Sequence, residues 1–155
     1  MEKTSYYTNM LKKGLIPFRP NIKKLIIDAK KSNIRLAIAT TTSPENVTAL
    51  MEQEFGKGYE KMFDAIGCGD IVSKKKPAPD IYEWVLNQMK LKPDNCISLE
   101  DSENGLKSSL GAGIKTFITT NLYTQQQDFT GAVAVYKDLS NLEEFYLLAK
   151  LNIQP

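Results

Sequence analysis

No histidine occurs in these 155 residues. Ser-His and Cys-His nucleophile pairs are excluded, as are histidine metal ligands. Any acid–base chemistry falls to Asp, Glu, Lys or Tyr. Cysteine is nearly as scarce: Cys68 and Cys96 are the two present. Both read as strand-end residues that stay reduced rather than pair. Long apolar runs are missing too, and none approaches the length of a membrane span. The start, Met-Glu-Lys-Thr-Ser-Tyr-Tyr, lacks the apolar centre of a signal peptide. Charge of one sign is also lacking. Twenty basic residues against 18 acidic ones leave +2, too little to argue for nucleic acid or an anionic membrane surface. What remains is ordinary globular usage, 42% hydrophobic and 25% charged, in a chain long enough for one domain with a real core.

Apolar segments of two kinds alternate along that chain. Tyr6, Tyr7, Met10 and Leu11 suggest a short helix or helix end within residues 1–18, followed by a loop from Gly14 to Phe18. Pro20 is placed in a first helical turn. Ile22, Leu25, Ile26 and Ala29 then follow at the spacing of an amphipathic helix, ended by Ser32-Asn33. Leu36 to Ala39 is a short unbroken apolar run, the mark of a strand buried on both faces. Ser43 caps and Pro44 begins a helix with Val47, Leu50, Met51 and Phe55 on its core face. Phe63 to Cys68 predicts another strand, and Ile71-Val72 a brief pairing. Ile81, Trp84, Val85 and Met89 give the buried face of a helix entered at Pro79. Cys96 to Leu99, Ile114 to Thr119 and Ala132 to Val135 read as strands, with a polar loop or lid edge from Asn121 to Gly131. Leu139, Leu142, Phe145, Tyr146 and Leu148 form a closing helix. Strands alternating with helices predict an α/β fold with a mostly parallel sheet and helices on both faces.

Chemistry concentrates where strands end, which is where ligands bind in open α/β sheets. Thr40-Thr41-Thr42-Ser43 places hydroxyls between a buried strand and a helix N-terminus, a setting suited to an oxyanion. The plain alternative is that these hydroxyls only cap and turn. Lys74-Lys75-Lys76 precedes Pro77-Ala78-Pro79. One lysine held by that stiff loop can neutralise a phosphate as a point charge, while at least two of the three are expected to be solvated. Glu100 and Asp101 follow the Cys96 strand directly, before a helix capped by Ser102 with Leu106 and Leu110 one turn apart. Two adjacent carboxylates repel, and a hard cation such as Mg²⁺ relieves the repulsion. The plain alternative is that Asp101 only favours a helix N-terminus.

Together the three features strongly resemble the haloacid-dehalogenase superfamily of phosphohydrolases. The resemblance is to its branch of phosphoglycolate phosphatases and β-phosphoglucomutase, and within it to the CbbY group of sugar-phosphate phosphatases. Arg19-Pro20-Asn21, Leu36 to Val47, Lys75 to Tyr82 and Glu100 to Leu106 carry it. It implies a Rossmann-like three-layer α/β/α fold, with the end of a helical cap and a return linker in residues 1–18 and a partial core domain in 19–155. Thr40 and the backbone around Thr41 would hold phosphoryl oxygens. Lys76 would stabilise charge on the phosphate and the attacking carboxylate, and Asp101, helped by Glu100, would hold Mg²⁺. This is the positioning and electrostatic work of phosphoryl transfer. The implied partner is a small phosphorylated sugar, a pentulose bisphosphate among them, with no nucleic acid and no membrane. The implied location is soluble and intracellular: the cytoplasm, or the plastid stroma if the source is photosynthetic and a targeting peptide lies upstream.

Such enzymes attack phosphorus with the first aspartate of an Asp-x-Asp pattern on their first strand. None of the aspartates here (28, 64, 70, 80, 94, 101, 128 and 138) has another two residues away. The chain is therefore expected to lack the nucleophile strand, which lies between the Thr40 and Cys96 strands, and most of the cap. It would be a piece of a longer protein, or take that strand from another polypeptide, or rearrange to close the gap; alone it would be inactive or fold poorly. The alternatives are an inactive phosphate- or metal-binding relative, or a β-phosphoglucomutase-like phosphoryl transferase.

Overall fold

The computed structural model describes residues 2–153. Packing divides the chain into two compact units, one reaching Ile71 and the other starting at Val72.

The first unit opens with α1 (Glu2–Lys12) and α2 (Ile22–Lys31). Leu11 buries the inner face of α1, while Tyr6 and Tyr7 are exposed. The α2 helix begins at Ile22 behind Asn21, which takes a left-handed conformation that asparagine tolerates. Pro20 thus precedes the cap and is not in the first turn. Strand β1 (Ala37–Ala39) leads through Ser43 into α3 (Pro44–Phe55), a short 3₁₀ turn (Tyr59–Met62) and β2 (Ala65–Gly67). The two strands are parallel, with Ile38 opposite Ile66. The Asp64 N–H to the Leu36 carbonyl, at 2.7 Å, and the Thr40 N–H to the Gly67 carbonyl, at 2.9 Å, extend the ladder at both ends.

Burial of β1 differs from expectation. Ala37 is exposed and Ile38 and Ala39 are half-buried. Among the described residues β1 has one strand partner, β2, so it is an edge strand and not a fully enclosed one. Ile71 and Val72 do not pair; Ile71 is exposed.

The second unit carries α4 (Asp80–Met89), β3 (Ile97–Glu100), α5 (Glu103–Gly111), β4 (Lys115–Thr119), β5 (Ala134–Tyr136) and α6 (Leu142–Asn152). Its three strands are parallel in the order β3-β4-β5. The last strand lies slightly further along than Ala132 to Val135. Leu139 precedes the last helix, where it is buried before the Asn141 cap. Phe117 and Ile118 of β4 are fully buried, and the Phe117 ring meets Phe145 of α6 edge-on at 5.1 Å. Parallel pairs joined through helices make the α/β class expected, here as sheets of two and three strands among the described residues. Cys68 and Cys96 are both free thiols. No helix among the described residues is long and apolar enough to cross a membrane.

Candidate active site

In the first unit the hydroxyl cluster is a braced loop at the carboxyl end of β1. Thr42 donates its N–H to the Thr40 hydroxyl at 3.2 Å, and Ser43 accepts the Asn46 N–H at 3.4 Å as the cap of α3. Asn46, nearly fully buried, ties the loop to α1: it accepts from Thr8 at 2.8 Å and donates to Thr42 at 3.4 Å. From the other side the Gly69 N–H reaches the Thr42 carbonyl at 2.6 Å. Gly69 is left-handed (φ 61°), and a Cβ there would come within 3.0 Å of Pro44. Thr41 is exposed. Capping and turning thus account for part of the cluster, as the plain alternative held. The Thr40 oxygen accepts a backbone N–H, which leaves its proton to donate elsewhere.

The second unit gathers the charged residues. Lys74 and Lys75 are exposed, whereas the Lys76 side chain is only 15% exposed and pairs with Glu100 Oε1. The loop that carries it has a cis Lys76–Pro77 bond and is anchored to α5 by the Ser108 hydroxyl, which donates to the Ala78 carbonyl at 2.6 Å. Glu100 ends β3 with its side chain 9% exposed. The Tyr82 hydroxyl donates to the same Oε1, and the Lys76 ammonium lies 5.1 Å from the centre of the Tyr82 ring. The other oxygen, Oε2, packs against the first turn of α5: a Cβ on Gly105 would be 2.0 Å from it. Glycine at 105 is what lets the carboxylate lie there.

Asp101 faces outward. It is exposed, and its Oδ2 accepts from Asn121 Nδ2 at 3.5 Å. Ser102 caps α5 as expected, accepting the Gly105 N–H at 3.1 Å. The loop from Asn121 is braced to this end of α5: Gln127 accepts the Glu103 N–H at 2.8 Å.

Sequence reasoning gave Tyr82 no role. It is 7% exposed on α4, and its O–H donates to Glu100 Oε1 beside a buried hydroxyl cluster. Ser98 of β3, Ser109 of α5 and Thr116 of β4 lie within 2.6–3.0 Å of one another. Burial, then the adjacent Glu100 charge and its hydrogen bond, push the phenol well above its ordinary value, and Ser98 and Ser109 pull it partly back. It remains a protonated donor at neutral pH. The sequence placed Ile81, Trp84, Val85 and Met89 on the buried face of this helix and did not mark Tyr82, which is also buried.

Lys76 and Glu100 are therefore brought together directly, with Asp101 next to them at the end of β3. Thr40 and Thr41 belong to the first unit. The donors Glu100 and Asp101 are hard oxygens of the kind Mg²⁺ takes. Among the described residues no group of three or more His, Cys, Asp or Glu is placed to enclose a metal. Asp101 has an open face, whereas Oε1 of Glu100 already receives two donors.

A family model of haloacid dehalogenase-like hydrolases matches residues 1–119. Protein CbbY of Cereibacter sphaeroides is 43% identical over 130 residues, which span 84% of this chain and 56% of that protein. CbbY from Rhodobacter sphaeroides, solved in complex with phosphate, superposes with a TM-score of 0.84 at 41% identity over 90% of this chain and 62% of that one. A mutant of the same protein solved with xylulose-(1,5)bisphosphate gives 0.85. A parallel α/β core with helices between its strands is of the Rossmann-like class. The chain belongs to the haloacid dehalogenase-like hydrolase family and is similar to its CbbY members. It spans little more than half the length of CbbY of Cereibacter sphaeroides.

Proposed function

We propose that the chain is the carboxy-terminal part of a phosphatase of small phosphorylated sugars, with residues 1–18 as the end of a cap and the remainder as its core. The observation that carries this reading is the Lys76–Glu100 pair beside Asp101 at the carboxyl end of β3. In this reading Thr40 and the Thr41 backbone donate hydrogen bonds to phosphoryl oxygens. Lys76, held in place by Glu100, balances the negative charge that gathers on the transferring phosphoryl group. Asp101 would hold Mg²⁺, with Glu100 helping. The ion would neutralise phosphate oxygens and keep waters for exchange.

No Asp-x-Asp occurs in the sequence, so the attacking aspartate would come from outside these residues, upstream or from another polypeptide. Phosphoryl passes to that carboxylate, and water then hydrolyses the phosphoaspartate. The edges support an extra strand, since among the described residues β1 pairs with β2 alone and β3 with β4 alone. The relative solved with xylulose bisphosphate makes a phosphorylated ketose a fitting substrate class. The missing Asp-x-Asp favours a second reading, a phosphate- or metal-binding relative without turnover. A phosphoglucomutase-like transferase is a variant that differs in the cap.

The test is K76A in the natural protein. Phosphate release from sugar phosphates should fall by at least roughly a hundredfold, the loss expected when a transition-state donor is removed. Unchanged turnover overturns the phosphatase reading. Absence of turnover in the unmodified protein, with phosphate binding retained, selects the second.

A further inference from the structure

We propose that Tyr82 is a positioning residue of this site: its phenol O–H clamps the Glu100 carboxylate from the core side, so that Glu100 holds the Lys76 ammonium in one place. The proposal rests on Lys76 and Glu100 being the site residues argued above.

Three observations converge on the carboxylate. Oε1 is shared between Lys76 and the Tyr82 hydroxyl. Oε2 lies against Gly105, where any side chain would collide with it. Behind Tyr82, the hydroxyls of Ser98, Ser109 and Thr116 form a closed triangle with residue exposures of 8%, 0% and 0%. A ring that only filled the core would need no O–H, and phenylalanine would avoid burying a polar group. The three hydroxyls satisfy one another, which leaves the phenol O–H to Glu100.

The result is a carboxylate tied both to α4, through Tyr82, and to the loop that carries Lys76. The neutral phenol and the ammonium both donate to Oε1, while Oε2 is confined against Gly105. With the phenol removed, Lys76 and Glu100 keep their attraction but lose the fixed point it acts from. Tyr82 touches no reacting atom in this scheme; it acts through Glu100.

The test is nitrogen-detected NMR of the lysine ammonium groups in the protein and in Tyr82→Phe, which keeps the ring. In the unmodified protein the Lys76 ammonium should give a slowly exchanging resonance. In Y82F its exchange with water should quicken by about tenfold, the factor corresponding to one charge-assisted hydrogen bond, while backbone amide signals away from residues 76–116 stay in place. A Lys76 resonance unmoved in Y82F overturns the proposal. If Y82F does not fold, the unmodified protein decides. A slowly exchanging phenolic proton on Tyr82 with a through-space contact to the Glu100 side chain supports the proposal, and its absence overturns it. The K76A assay tests the phosphatase reading separately. Normal turnover in K76A with a responsive ammonium removes the catalytic role and leaves the clamp. Lost turnover in K76A with an unresponsive ammonium removes the clamp and leaves the catalytic role.

Discussion

The two units hold their polar residues in different ways. In the first, Thr40 to Ser43 are fixed by a helix cap and a turn, with one buried asparagine reaching across to α1. The strand beneath them is thin, with an exposed Ala37 and half-buried Ile38 and Ala39. In the second, Lys76 and Glu100 are fixed from below by a core whose central strand, β4, is buried from Thr116 to Thr119. Neutral hydroxyls can be held by a cap, a turn and a single side chain from elsewhere. A buried charge pair cannot, because it needs partners from several elements to offset its desolvation.

If that difference is real, truncating the two cores should give unequal losses. Phe117→Ala empties a fully buried position against Phe145 and should cost about 4 kcal/mol in chemical denaturation. Ile38→Ala in β1, half-exposed to begin with, should cost only about 1–2 kcal/mol on the same scale. Equal losses would mean that β1 is enclosed in solution and that its edge is covered.

Gly105→Ala comes next. In an ordinary helix position this change gains about 1 kcal/mol. Here the new Cβ would lie 2.0 Å from Glu100 Oε2, so the carboxylate must leave its pair with Lys76. The expected result is a net loss of about 2–3 kcal/mol, read by denaturant titration. A neutral or stabilising result would show that Glu100 has room to move and that its placement is not imposed by α5.

Much of this was legible in the sequence, and unevenly. Ser43, Pro44 and Ser102 mark their helices because capping is a matter of three consecutive residues. Leu106, Ile81 and Phe117 mark the core because burial leaves a periodic trace. Thr40, Lys76, Glu100 and Asp101 could be picked out because each follows or precedes a recognisable strand or helix end. Tyr82, Ser98, Ser109 and Thr116 could not, since a hydroxyl in a buried run reads as a tolerated polar residue until its partners, 7 to 18 positions away, are known. The exposure of β1 was equally hidden: an apolar tetrad announces a strand, not the number of its neighbours.

High pH probes Tyr82 of the second unit. Tyr82 is held protonated in the fold while the unfolded chain releases that proton near pH 10. Its contribution is complete below that pH and is lost as pH rises through the folded value. Stability should therefore fall by up to about 1.4 kcal/mol per pH unit above pH 10 from this group. Lysines titrate in the same range, so the measure is the difference between the protein and Tyr82→Phe, which should have the shallower slope. Identical slopes would place the Tyr82 hydroxyl in contact with water.

The smallest effect is the one in which the units should agree. Ser43 caps α3 in the first unit and Ser102 caps α5 in the second, each accepting the N–H three residues on, at 3.4 and 3.1 Å. A cap satisfies one backbone donor at a helix start, whatever the depth of the core behind it. Ser43→Ala and Ser102→Ala should therefore each cost about 1 kcal/mol by thermal or chemical unfolding. Ser102 lies beside Glu100 and Asp101, so a much larger loss there than at Ser43 would mean that the cap also holds the carboxylates. The hydroxyl at 102 would then belong to the charged site and not only to its helix.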